Sequence, residues 1–125
     1  MKKHILLIDD DIDELDLLQD ALQEMAIPHK VTWAKSGSQA LEQLRYLAPD
    51  IIFLDINMPN MNGLECLTFI KQLPDRENIP VILCSTGMNP DISRQGLQAG
   101  AAACVKKANT FNELSDVLNK YLKWR

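Results

Sequence analysis

The chain is predicted to fold as an α/β domain, a doubly wound sheet of five parallel strands with five helices on its two faces. Three observations predict this. Short continuous runs of Val, Ile and Leu recur along the chain, the pattern of parallel strands buried on both sides. Between them lie segments with apolar residues at three- and four-residue spacing, the helical period. The links are short, and consecutive βα units with short links imply right-handed crossovers and one open sheet. At 125 residues, 46% hydrophobic and 24% charged, the chain has the length and composition of one globular domain. Residues 1–125 are therefore expected to form a single domain, without linker, repeat or output domain.

The elements follow in order. "HILLID" (His4–Asp9) is the first strand. The first helix carries Leu15, Leu18, Leu22 and Met25 on one face. Asp11 is its cap, and "DIDE" (Asp11–Glu14) resembles a capping box. Asp13, Glu14 and Asp16 read as a solvated face, favoured by the positive end of the helix dipole. "KVTWAK" (Lys30–Lys35) alternates as a half-exposed second strand. "SGSQALEQLRYL" is a helix capped at Ser36 or Ser38. "DIIFLD" (Asp50–Asp55) is the third strand, and "GLECLTFIKQL" a helix following Gly63. "PVILCST" (Pro80–Thr86), a helix from Pro90, and "AACVKK" (Ala102–Lys107) come next. The last helix follows a Thr110 cap and aligns Phe111, Leu114, Val117, Leu118 and Leu122.

A net charge of -4 argues against nucleic acid as a partner. No stretch approaches the roughly 18 apolar residues of a membrane span, and "MKKHILLIDDD" lacks the apolar core and cleavage site of a signal peptide. A cytoplasmic location is expected. Cys66, Cys84 and Cys104 are odd in number and scattered among apolar residues, the pattern of reduced core thiols. His4 and His29 stand alone, so no His/Cys metal cluster is expected. Trp33 and Trp124 read as packing residues. Met58 and Met61 flank a loop and could line either a partner surface or the pocket itself.

In open α/β sheets, chemistry collects at the carboxyl ends of the strands. Here those ends carry Asp9-Asp10-Asp11, Asp55, Ser85-Thr86 and Lys106-Lys107. Carboxylates gathered at one edge repel one another unless protonated or neutralised by a cation. Hard oxygen ligands suit Mg²⁺. With the ion bound, an uncoordinated carboxylate oxygen can attack a phosphoryl group while metal and lysine offset its charge. The stretch "IIFLDINMPNMNG" (Ile51–Gly63) drives a buried strand into an acid and then opens a loop of small and polar residues, which leaves that acid accessible to a donor.

Four segments carry a more specific signal: "ILLIDDD", "IIFLDINMPNMNGLE", "PVILCSTG" and "QAGAAACVKK". In order and spacing they resemble the receiver domain of two-component response regulators over essentially the whole chain, especially the single-domain chemotaxis regulators. The resemblance implies a flavodoxin-like sheet of strand order 2-1-3-4-5. It implies a phosphorylation switch rather than an enzyme, with Asp55 as phosphoacceptor and Mg²⁺ as cofactor. Asp10 and Asp55 would bind Mg²⁺ directly, the Asn57 backbone carbonyl would be the third protein ligand, and Asp9 would act mostly through water. Ser85 would take the hydroxyl position, with Thr86 the alternative after the same strand, and Lys107 the lysine position, with Lys106 solvated. Pro59 and Gly63 would shape the acceptor loop. The implied partners are a sensor histidine kinase or histidine phosphotransfer protein and an output protein of unknown identity, with the chain a monomer or weak dimer.

Two positions depart from the family pattern. Ala108 replaces the proline that usually follows the lysine, which predicts a trans Lys107–Ala108 bond, because a cis bond before a non-proline residue costs about 2.5–4 kcal/mol. Cys104 replaces the aromatic residue usual in the middle of strand five. Coupling through ring rotation is then lost, and the loop "STGMNPD" is expected to carry the rearrangement. Asn57 and Gly87 occupy the positions two residues beyond acceptor and hydroxyl, where family members tune attack by water.

Other functions fit less well. A haloacid-dehalogenase-like phosphatase wants a second Asp two residues after the nucleophile, where Asn57 stands. A flavodoxin-like cofactor binder wants a phosphate loop after strand one, where three aspartates would repel phosphate. A degenerate pseudo-receiver, binding partners without phosphorylation, is the alternative that the Cys104 and Ala108 replacements leave open.

Overall fold

The structure, a computed structural model, describes residues 2–107 and 110–122. The elements alternate without exception: β1 (Lys3–Ile8), α1 (Ile12–Glu24), β2 (His29–Ala34), α2 (Gly37–Gln43), β3 (Ile51–Asp55), α3 (Gly63–Gln72), β4 (Val81–Ser85), α4 (Pro90–Gln98), β5 (Ala103–Lys106) and α5 (Phe111–Tyr121). The five strands form one parallel sheet of order β2-β1-β3-β4-β5, so both the fold class and the strand order match expectation. The order reverses between β1 and β3, and β1 lies between β2 and β3, which brings the ends of β1 and β3 together.

Strand pleating divides the core into two layers. Leu6, Ile8, Ile52, Leu54 and Leu83 point into a cluster with Ala40, Leu44, Cys66, Leu67 and Ile70, beneath α2 and α3. Ile5, Leu7, Ile51, Phe53 and Ile82 point the other way, onto Leu18, Ala21, Leu22 and Leu118 of α1 and α5. Because adjacent residues of a strand face opposite sides, an unbroken apolar run is needed to fill both layers. Burying a side chain of this size contributes roughly 1.5–3 kcal/mol.

Caps fix the helix starts. Ser36, not Ser38, caps α2, accepting from the Gln39 N–H, and Thr110 caps α5, accepting from the Glu113 N–H. Asn62 caps α3 in a reciprocal box with Glu65, a pairing that the sequence reading did not include. At α1 the expected box does not form. Asp11 accepts from the Asp13 N–H, but its own N–H is given to Asp9 Oδ1 at 3.0 Å. Glu14 is thereby released from the cap, with consequences at the site. β3, β4 and β5 are one residue shorter at one or both ends than their apolar runs suggest, and β1 and β2 are each shifted one residue earlier. The Lys107–Ala108 bond and Trp124 lie outside the described residues. Among the described residues no helix is long and apolar enough to cross a membrane.

Candidate functional site

The carboxyl edge of the sheet brings together residues 98 positions apart in sequence. Asp55 is the last residue of β3, and Asp9 and Asp10 follow β1 directly. Asp9 is 2% exposed and Asp55 4%, whereas Asp10 faces solvent. Asp9, Asp10 and Asp55 each present a carboxylate oxygen within 4.8 Å of the others. Two buried acids and one open one, all hard oxygen donors, suit a divalent cation such as Mg²⁺, with waters completing the shell from the Asp10 side.

Lys107 enters from the far side. Its backbone N–H donates to the Ser85 carbonyl at 2.9 Å, extending the β4–β5 ladder one step beyond the strand. The ammonium reaches Asp9 Oδ2 at 2.9 Å, Asp55 Oδ2 at 3.5 Å and Glu14 Oε1 at 3.8 Å. Burial opposes its charge, but the Asp9 hydrogen bond and the three acids outweigh that, holding the ammonium above the usual lysine range. Asp55 moves upward too: burial dominates, then the Asp9 charge, and Lys107 only partly offsets them. A cavity of about 50 Å³ lies under these groups, lined by Leu7, Leu18, Phe53, Cys84 and Leu114. That apolar floor keeps the local dielectric low and every charge in the cluster consequential. Lys106, by contrast, is exposed.

Hydroxyl and amide groups close the remaining side. Ser85 is 2% exposed, and its Oγ accepts from Asn57 Nδ2 at 3.3 Å and from the Gly87 N–H at 3.2 Å. With both acceptor positions filled, its own proton is free to be donated. Thr86, the first residue of the turn after β4, is exposed. The Asn57 N–H donates to Asp55 Oδ1 at 3.3 Å. Gly87 has no side chain to offer, yet its backbone holds the hydroxyl.

The loop after β3 is built by close approach. Gly63 donates its N–H to the Ile56 carbonyl at 2.9 Å, and a Cβ at this position would stand 2.5 Å from the Asp55 carbonyl oxygen. Only glycine permits α3 to start so near the end of β3. The Pro59 carbonyl accepts from the Met61 N–H at 2.8 Å, and Asn60 turns the chain with φ 69°. Met58 is buried, and Met61 packs on Gly37 at the start of α2, so both methionines serve packing.

Two contributors differ from their sequence reading. Glu14 is not a solvated helix acid; its side chain is three-quarters buried and joins the Lys107 cluster. Its carboxyl is pushed upward by burial, against the pull of Lys107. Trp33 does more than pack: its indole N–H donates to the Asp9 backbone carbonyl at 2.8 Å. The signal for Glu14 was its place one helical turn after the acid run; nothing in the sequence marks the Trp33 bond. The cysteines are free, and burial pushes the Cys66 thiol up to about 12, an inert state at neutral pH.

Comparison with known proteins shows the family and the fold. Residues 5–119 match the family model described as response regulator receiver domain. Chemotaxis protein CheY of Bacillus subtilis is 30% identical over 122 residues, covering 98% of this chain and 99% of that protein. The crystal structure of a phosphorylated cyanobacterial phytochrome response regulator, RcpA, superposes with TM-score 0.88 at 28% identity, over 100% of this chain and 97% of the other. That of the Mn²⁺-bound form of response regulator Rcp1 superposes with TM-score 0.85 at 27% identity, over 97% and 95%. Several other curated relatives are much longer, and the chain spans 26–35% of the length of three of them.

Proposed function

The chain belongs to the response regulator receiver domain family, and from that premise we propose that it is a phosphorylation switch whose acceptor is Asp55. The donor is a sensor histidine kinase or a histidine phosphotransfer protein in the cytoplasm. The output is a changed protein–protein contact or onward phosphoryl relay. The observation that carries this reading is the convergence of Asp9, Asp10 and Asp55 within 4.8 Å, with the Lys107 ammonium against two of the three.

Each residue has a part that follows from its position. An Asp55 carboxylate oxygen forms a bond to phosphorus as the phosphorus–nitrogen bond of the donor breaks, and the electron pair leaves with the imidazole. β3 aims that carboxylate, and burial raises its basicity. Lys107 moves its charge onto the phosphoryl oxygens, and the Ser85 hydroxyl donates to one of them. Asp10, Asp55 and the Asn57 carbonyl would hold Mg²⁺, with Asp9 acting through water. When bound, the ion supplies the positive charge that lets an anionic acceptor meet an anionic donor. Pro59 and Gly63 keep the loop open to the partner, and Thr86 stays outside. RcpA in its phosphorylated form and Rcp1 with Mn²⁺ support the chemistry by likeness. Incubation with acetyl phosphate and Mg²⁺, followed by intact mass, tests it. Wild type should gain one phosphoryl group and Asp55→Asn none; no gain in either would favour the pseudo-receiver.

A further inference from the structure

Lys107 has three acidic neighbours, and they are not equivalent. Asp9 and Asp55 are both in the set that a divalent cation would occupy. Glu14 is not: it sits in the first turn of α1, 3.8 Å from the ammonium, its side chain 25% exposed. The release of Glu14 from the α1 cap is itself enforced by the site, because Asp9 takes the N–H that a capping box would need. A cation at the aspartates would neutralise Asp9 and Asp55 and repel the ammonium beside them. Of the three acids that the structure pairs with Lys107, Glu14 is the one outside the set that the cation would occupy.

We propose that Glu14 is a positioning residue that holds the Lys107 ammonium in the cation-loaded, unphosphorylated state and competes with the phosphoryl group for it. Glu14 touches no reacting atom; it acts through Lys107. Its carboxylate opposes phosphoryl binding twice, by retaining the ammonium and by adding negative charge beside an anion. The same carboxylate aids cation binding, by drawing Lys107 off Asp9 and Asp55 and by adding favourable charge. The two effects have opposite signs, which a purely structural role would not produce. The inference rests on the receiver reading.

The test is the isosteric variant Glu14→Gln beside Asp16→Asn, a control that removes one charge from an exposed position on the same helix. Beryllofluoride binding at saturating Mg²⁺ and Mg²⁺ binding alone are measured by calorimetry, with urea unfolding of each variant as the stability reference. Glu14→Gln should bind beryllofluoride about two- to fivefold more tightly and Mg²⁺ more weakly by a similar factor, the range that a partly exposed ion pair spans. Asp16→Asn should move neither by as much as twofold. Equal behaviour of the two variants, or weakening of both ligands in Glu14→Gln, overturns the inference while leaving the receiver reading intact. Failure of the wild type to bind beryllofluoride in the presence of Mg²⁺ overturns both.

Discussion

The indole N–H of Trp33, in β2, donates to the backbone carbonyl of Asp9, the residue that follows β1, at 2.8 Å. A reporter group is thus attached to the turn that carries Asp9 and Asp10. In a Trp124→Phe background, Mg²⁺ titration should change Trp33 emission saturably, and Asp10→Asn should abolish the change. Trp33→Phe should cost roughly 1–3 kcal/mol in urea unfolding, since it leaves the carbonyl without its donor.

Lys107 is the sole counter-charge within 4.0 Å of the two buried acids among the described residues. Lys107→Met leaves Asp9 and Asp55 buried and unpaired, a change worth roughly 3–5 kcal/mol. Urea unfolding without metal should show that loss, and added Mg²⁺ should recover more stability in the variant than in wild type.

The Asp55 carboxyl is held above its ordinary value of 3.8 by burial and by the charge of Asp9. A carboxyl raised in the folded state favours folding when protonated. Its contribution is present below the unfolded value and is lost as pH rises through the folded one. Metal-free wild type should therefore lose stability as pH rises from about 4 toward neutrality, relative to Asp55→Asn. At pH 7 without Mg²⁺ the variant should melt higher by about 2–8 °C, the shift expected for ~1 kcal/mol in a domain of this size.

Gly63 and Gly87 differ sharply in what a methyl group would meet. At Gly63 it would stand 2.5 Å from the Asp55 carbonyl oxygen and 2.7 Å from the Ile56 Cα, whereas at Gly87 nothing lies within 4 Å. Gly63→Ala should cost about 1–3 kcal/mol or more and slow phosphorylation by acetyl phosphate beyond its effect on folding. Gly87→Ala should leave stability within about 0.5 kcal/mol of wild type.

Cys104 packs against α4. A Cβ on Gly96 would stand 2.6 Å from its Sγ, and the thiol points to the Ser93 carbonyl at 3.5 Å. A ring kept on this side of the sheet would press on α4, so Cys104→Tyr should destabilise by roughly 1–3 kcal/mol and speed amide exchange in α4. On beryllofluoride binding, wild-type exchange should change most over residues 85–91, where Ser85 and Gly87 share a hydrogen bond.

What the sequence made legible and what it did not have a common cause. Asp9, Asp10, Asp55, Ser85 and Lys107 could be brought together on paper because parallel strands end at one edge, whatever their register. Contacts that depend on register were invisible. Trp33 opposes Leu7 in the β1–β2 ladder, and only that pairing sets its indole against the Asp9 carbonyl. Glu14 obeys the statistics of a first-turn helix acid, and only the extension of β5 to Lys107 shows it facing an ammonium. The fit of Cys104 against Gly96 needed the depth of α4, which no local pattern carries. Strand ends were overextended because Asp50 and Pro80 border apolar runs and make one backbone bond each to the neighbouring strand without belonging to a strand themselves, while Thr86 already lies in a turn.

The central claim is that Asp9, Asp10 and Asp55 surround one divalent ion and leave Asp55 open to phosphorylation. A crystal structure with Mg²⁺ and beryllofluoride tests it most directly. It should show beryllium bonded to an Asp55 oxygen, the ion held by Asp10, Asp55 and the Asn57 carbonyl, and Lys107 and Ser85 on the fluorines. Beryllofluoride bound elsewhere, or a magnesium ion that leaves Asp10 and Asp55 uncoordinated, would contradict it.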